Sequence, residues 1–183
     1  MKGAWMETYT GKKFFPLDPR KEDICIEDIA HSLSLLCRYN GHTNRLYSVA
    51  QHSLELALYS QNRGDPTSTV LYYLLHDAHE AYVGDMTAPM KRNLEELGLL
   101  EIWNKVVWNI DSVIFKKFGI TDSIIRDDYD KRILWDEKKE FFPNTPNDWE
   151  LSGVPLGIDL ENYDHKMYEI LFLKMFKQLY GTA

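Results

Sequence analysis

The run His76-Asp77-Ala78-His79-Glu80 puts four ionisable groups into five residues, directly after the apolar stretch Val70-Leu71-Tyr72-Tyr73-Leu74-Leu75. Imidazoles and carboxylates at the inner end of an apolar helix are costly, because each uncompensated buried charge loses several kcal/mol of hydration. Helical spacing places His76 and Glu80 on one face, with Asp77 about 100° round and on the same side. A divalent cation is the simplest partner for such a group.

Two more residues complete a ligand set. His52 sits one turn inside "VAQHSLELAL", among apolar neighbours that place it toward the interior. Asp130 lies shortly before Ile133 and Leu134 and six residues after Ile124, on or beside the buried stripe of its helix. His52, His76, Asp77 and Asp130 form a mixed nitrogen and oxygen set. It suits one divalent ion such as Mn²⁺, Co²⁺, Zn²⁺ or Mg²⁺, with positions left for water and substrate. The competing reading of His76-Asp77 is a hydrogen-bonded helix end without metal. Asp127 and Asp128 read as a solvated acidic face, and His79 as a structural group turned away from the line shared by His76 and Glu80. His31 reads as a helix residue satisfied by hydrogen bonds.

The elements that must position these groups are nearly all helical. Ile26 to Cys37 spaces Ile29, Leu33, Leu36 and Cys37 as one face, and Asn40-Gly41 signals a turn after it. Ser48 followed by Gln51 three residues later is a capping-box pattern opening the next helix. Gly64-Asp65-Pro66 breaks the chain, and a third helix is expected from about Thr67 to Tyr82. Gly84 and Pro89 then predict a loop. Leu99 to Phe118 reads as an amphipathic helix ended by Gly119, and another helix is expected from Thr121 or Asp122 to Phe141. The breakers in "PNTPNDWELSGVPLGID" predict a loop, followed by a helix over Asn162 to Tyr180 with Met167, Ile170, Leu171, Lys174, Met175 and Leu179 on one stripe. Strand signals are almost absent. The expected fold is all-α, a single domain over 1–183 built as a bundle of six or seven helices.

Bulk composition agrees with one domain: 183 residues, 44% of them hydrophobic, hold one sizeable core. A net charge of −7 argues against a nucleic-acid polymer or an anionic membrane as the main partner. Two cysteines without a pairing pattern fit a reducing compartment. The chain shows no secretory pattern and no apolar run of about 18 residues. The expected location is therefore cytoplasmic.

His52, the doublet His76-Asp77 and the distant Asp130 resemble the H…HD…D signature of the HD-domain metal-dependent phosphohydrolases, an all-α superfamily. "HDAHEAYVGDMTAPMK" resembles the "HDA.E…GD…P.K" segment of its bacterial 5′-deoxynucleotidases. "RYNGH" and "YSVAQHS" resemble their Arg-aromatic and "VAEHS" elements, and phage enzymes that remove triphosphate from dATP share much of the pattern. The matched span runs from Glu27 to Glu137.

The resemblance implies roles. His52, His76, Asp77 and Asp130 hold the metal, Glu80 is the acid or base acting on the attacking water, and Asp85 faces the sugar or positions that water. Arg38 binds phosphate, a task its planar donor fork suits. Tyr39 stands where a Trp commonly packs on the nucleoside, which leaves base and sugar preference open. Pro89 and Lys91 line the pocket. His42 shares the Arg38 turn, and substrate contact and simple turn packing stay equally open for it. The implied activity is hydrolysis of deoxynucleoside 5′-monophosphates. Its alternative is a dNTP triphosphohydrolase, for which Lys12, Lys13, Arg20, Arg45 and Arg92 are candidate phosphate contacts. A catalytically silent nucleotide sensor is the reading from another class. A homodimer is implied by analogy, and Trp103, Trp108, Phe115 and Phe118 read as core or as its surface.

Overall fold

The computed structural model describes residues 3–121 and 128–181. A two-residue hairpin, β1 (Met6–Glu7) with β2 (Lys13–Phe14), precedes eight helical segments: α1 (Ile26–Leu35), α2 (Val49–Arg63), α3 (Thr67–Leu75), α4 (Glu80–Val83), α5 (Ala88–Glu96), α6 (Leu100–Phe118), α7 (Tyr129–Phe141) and α8 (His165–Tyr180). The fold is all-α. The hairpin pairs Met6 with Phe14 and Glu7 with Lys13, a ladder too short to leave an alternating pattern in the sequence.

The core is built on α2 and α3, which pack on each other, with α1 and α8 against them. Five of the nine residues of α3 are buried apolar groups, Val70, Leu71, Tyr73, Leu74 and Leu75, each worth roughly 1.5–3 kcal/mol removed from water. This burial outweighs the weak propensity of its β-branched residues and fixes the rod that carries His76 and Asp77. The Ser48 Oγ accepts from Gln51 N at 3.1 Å and caps α2, but the Gln51 side chain donates to Glu161 O rather than completing a capping box. Ser48→Ala is expected to cost about 1 kcal/mol of stability. Thermal melts of wild type and variant check this.

Four expectations are corrected. The helix expected over Thr67 to Tyr82 is broken at 76–79, where Ala78 N, Glu80 N and Tyr82 N reach back only three residues, to Leu75 O, Asp77 O and His79 O. Beyond Gly84 the predicted loop ends at Thr87, because Pro89 sits in the first turn of α5, where its missing N–H costs nothing. At α8 the Asp164 carboxylate accepts from Met167 N and starts the helix at His165 rather than Asn162. The buried face of α8 is Tyr168, Phe172, Met175, Phe176 and Leu179, whereas Met167 and Ile170 are exposed. Met175 and Leu179 of the expected stripe are in the core, joined there by the aromatic residues Tyr168, Phe172 and Phe176.

The expected start of α7 at Asp122, together with Ile124 and Asp127, lies outside the described residues; Thr121 itself is not helical. Segment 143–164 is an extended loop, as its breakers predict, and no described helix is long and apolar enough to cross a membrane. In α6, Phe118 is buried while Trp108 is 68% exposed.

Candidate metal centre and substrate cavity

Three helices meet at the site. From α2, His52 is fully buried. Its Nδ1 lies 2.7 Å from Glu137 Oε1, and since that carboxylate only accepts, Nδ1–H donates and Nε2 faces the cluster. From the end of α3, His76 Nδ1 donates to Tyr73 O at 2.8 Å, so its Nε2 is likewise directed inward. From α7, Asp130 Oδ1 lies 3.1 Å from His52 Nε2 and 3.9 Å from His76 Nε2. Asp77 Oδ2 is 3.3 Å from His76 Nε2 and 3.7 Å from His52 Nε2.

The donor set fits a divalent ion. Both Nε2 atoms are buried and have no hydrogen-bond partner among the described residues. One donor atom each from His52, His76 and Asp130 lie within 4.8 Å of one another; donors sharing an ion at about 2.1 Å each lie at most about 4.2 Å apart, and Asp130 Oδ1 meets that limit with both imidazoles, at 3.1 and 3.9 Å. Asp77 approaches both imidazoles and also Arg38 Nη1, at 3.6 Å. Without a cation, burial disfavours the His76 imidazolium, but Asp77 and Asp130 outweigh it and lift the group to about 9. Burial likewise opposes the Asp130 carboxylate, and the two imidazoles overcome it and hold that group down at about 2.

A second buried network supports the first. Glu137 is fully buried on α7, two turns beyond Asp130. It accepts from Tyr47 Oη at 2.7 Å and from Tyr39 Oη, and Arg38 Nη2 lies 3.5 Å away. Burial works against its charge, but Arg38 and His52 prevail and keep it at about 2. Arg38 is set here because the backbone on either side of it is bridged: Arg38 N donates to Tyr47 O and Val49 N to Leu36 O. The turn that follows holds Tyr39 and Asn40 at φ of 56° and 51°.

These groups open onto a cavity of about 600 Å³ walled by Arg38, Asp77, Glu80, Asp130 and two further segments, the start of α5 and the loop at 148–151. Burial, with Asp77 and Asp85 nearby, pushes Glu80 up to about 9, and Glu80 Oε2 is buried without a partner among the described residues. Asp85 at the rim is also raised, chiefly by burial.

No family model matches the chain. YfdR, an uncharacterized protein of Escherichia coli (strain K12), is 41% identical to it over 117 residues, which are 64% of this chain and 60% of that protein. RCAP_rcc00048, an uncharacterized protein of Rhodobacter capsulatus, is 38% identical over 124 residues, 66% of this chain and 61% of that protein. The chain thus spans about 60% of the length of the curated relatives it matches.

Of the residues singled out from sequence, His52, His76, Asp77 and Asp130 come together, and Arg38, Tyr39, Glu80, Asp85, Pro89 and Lys91 line the adjoining cavity wall or its base. His42 does not join them; it is exposed at the end of the Arg38 turn and does not line the cavity. The break at 76–79 also changes which side chains align. With three residues per turn, Asp77 and Glu80 share the cavity wall, and His76 is not part of that lining. His79 is structural, paired with Asp111 at 3.0 Å, and His31 stacks on Tyr9 and meets Glu169. Of the five candidate phosphate contacts only Arg92 lines the cavity. Sequence reasoning missed Glu137, Tyr47 and Trp149. The seven-residue step from Asp130 to Glu137 was the available signal for Glu137, since it returns to the same helix face.

Proposed function

We propose that the protein is a metal-dependent nucleotide phosphohydrolase of the HD-domain type, cleaving (deoxy)nucleoside 5′-monophosphates to nucleoside and phosphate in the cytoplasm, and working as a homodimer. One observation carries the reading: the buried, partnerless Nε2 atoms of His52 and His76 face Asp77 and Asp130, and these two carboxylates line a cavity that also presents a buried arginine and a partnerless glutamate. His52, His76, Asp77 and Asp130 would hold one divalent ion. Such an ion, when bound, supplies a water of lowered pKa and draws charge from a phosphoryl oxygen.

The chain's own groups supply the rest. Arg38 is held between Glu137 and Asp77, so its guanidinium is oriented before substrate arrives and can offset phosphate charge without losing side-chain freedom at that moment. Lys91 adds positive charge at the α5 wall. In the hydrolysis a water oxygen bonds to phosphorus, the bond from phosphorus to O5′ breaks, and a proton reaches O5′. Glu80 is the group placed to take and pass that proton. Glu80→Gln is expected to lower kcat by about 10²- to 10⁴-fold with metal content unchanged.

A second reading is favoured by Arg92 and Lys131, which line the same cavity and could follow a longer phosphate chain. A product assay on dNMPs, NMPs and dNTPs with Mn²⁺, Co²⁺ or Mg²⁺ separates the two. Single phosphate from monophosphates supports the nucleotidase, and intact triphosphate from a dNTP supports a triphosphohydrolase. Nucleotide binding with no product from any substrate overturns both in favour of a sensor.

A further inference from the structure

The cavity has a wall that the hydrolytic groups leave unexplained. The loop at 148–151 brings Asp148, Trp149, Glu150 and Leu151 to the lining. The segment directly after this loop is anchored to the helix that carries Asp130 and Glu137: Arg132 Nε donates to Val154 O at 2.9 Å, Trp135 Nε1 to Ser152 O, and the Asp136 carboxylate accepts from Leu156 N and Gly157 N. Trp149 packs edge-on against Phe142, at 4.9 Å between ring centroids, and tilted toward Tyr39 at 5.7 Å. The loop is therefore a fixed wall, held by the same rod that carries the metal-binding carboxylate.

Its two acids differ. Asp148 Oδ1 is occupied within the loop, accepting from Glu150 N at 3.0 Å. Glu150 makes no side-chain hydrogen bond or ion pair with the described residues. It also holds φ at 53°, the left-handed region that residues with a Cβ rarely adopt. Glu150 repels a phosphate, whereas Arg38 and Lys91 in the same lining attract one, which favours the phosphate beside Arg38 and Lys91 and the base beside Trp149 and Glu150.

We infer that Trp149 stacks on the nucleobase and that Glu150 selects guanine, an inference that rests on the nucleotide reading of the cavity. An ionised carboxylate is purely an acceptor with two oxygens. Guanine N1–H and N2–H present two adjacent donors on one edge and match it bidentately, whereas the same edge of adenine pairs one donor with one acceptor and leaves a lone pair facing an oxygen. Such a mismatch discriminates more strongly than a missing contact does.

Calorimetric titration of the full chain with 2′-deoxyguanosine and 2′-deoxyadenosine tests this without metal or turnover. Wild type is expected to bind the guanine nucleoside about 10- to 100-fold more tightly. Glu150→Gln, whose amide offers one acceptor and one donor, is expected to erase or reverse the preference. Glu150→Gly relieves the left-handed backbone and is expected to lose the preference while melting no lower than wild type, which separates lost recognition from lost folding. Equal binding of the two nucleosides, no binding of either, or a guanine preference that survives both substitutions overturns the assignment. Hydrolysis of dGMP and dAMP with equal kcat/KM overturns it and leaves the phosphohydrolase standing. Guanine-selective binding without phosphate release from any nucleotide supports it and removes the phosphohydrolase instead.

Discussion

Asp77→Ala is expected to empty the site of divalent metal and to lower phosphate release by at least about 10³-fold. The carboxylate is 3.3 Å from His76 Nε2 and 3.6 Å from Arg38 Nη1, so its removal takes away an oxygen donor and also the anion facing the Arg38 guanidinium. Lewis-acid stabilisation of phosphoryl charge is worth several kcal/mol, and each 1.4 kcal/mol is about tenfold in rate. Elemental analysis of the purified variant, alongside single-turnover assays, checks both parts. Asp111→Ala is the matched control: it breaks the pairing with His79 outside the donor set and should leave metal content unchanged. Equal metal in wild type and Asp77→Ala would remove this residue from the ligand set.

The second large effect is on stability and belongs to Glu137. Its carboxylate is buried among His52, Tyr47, Tyr39 and Arg38, and its loss leaves the guanidinium of Arg38 and the hydroxyl of Tyr47 without their shared acceptor. Breaking a buried pair from one side costs about 3–5 kcal/mol, so Glu137→Ala should melt on the order of 10 °C lower. Glu137→Gln keeps the shape and is the folded counterpart for a pH test. The group is held at about 2 in the folded protein against an ordinary 4.5. A depressed carboxylate contributes its stability above the unfolded value and loses it as pH falls through the folded one. The contribution, roughly 3 kcal/mol from the shift, is thus full above about pH 4.5 and gone near pH 2. Denaturant unfolding of wild type and Glu137→Gln should show a gap at pH 7 that narrows toward pH 3. A gap constant over that range would mean Glu137 is not ionised in the fold.

Much of the candidate centre was legible from local signals. The cap at Ser48, the apolar run before His76 and the glycine after Phe118 each act within one or two helical turns, and such short-range physics survives in the linear order of residues. Those signals gave the all-α class and most of the helices, though not α5, and pointed to the four residues His52, His76, Asp77 and Asp130. The tertiary structure decided what depends on distant partners. Whether the third helix ran on through 76–79 was settled by His76 bonding Tyr73 O, and the addition of Tyr168, Phe172 and Phe176 to the buried face of α8 by its packing on α1, α2 and α3. Glu137 gained its place from residues 85 to 99 positions away, and the segment that follows the 148–151 loop is held by α7 side chains. Periodicity reports which face of a helix is apolar, but the burial of a charge depends on the counter-charges that arrive from elsewhere in the fold, and no local pattern encodes their arrival.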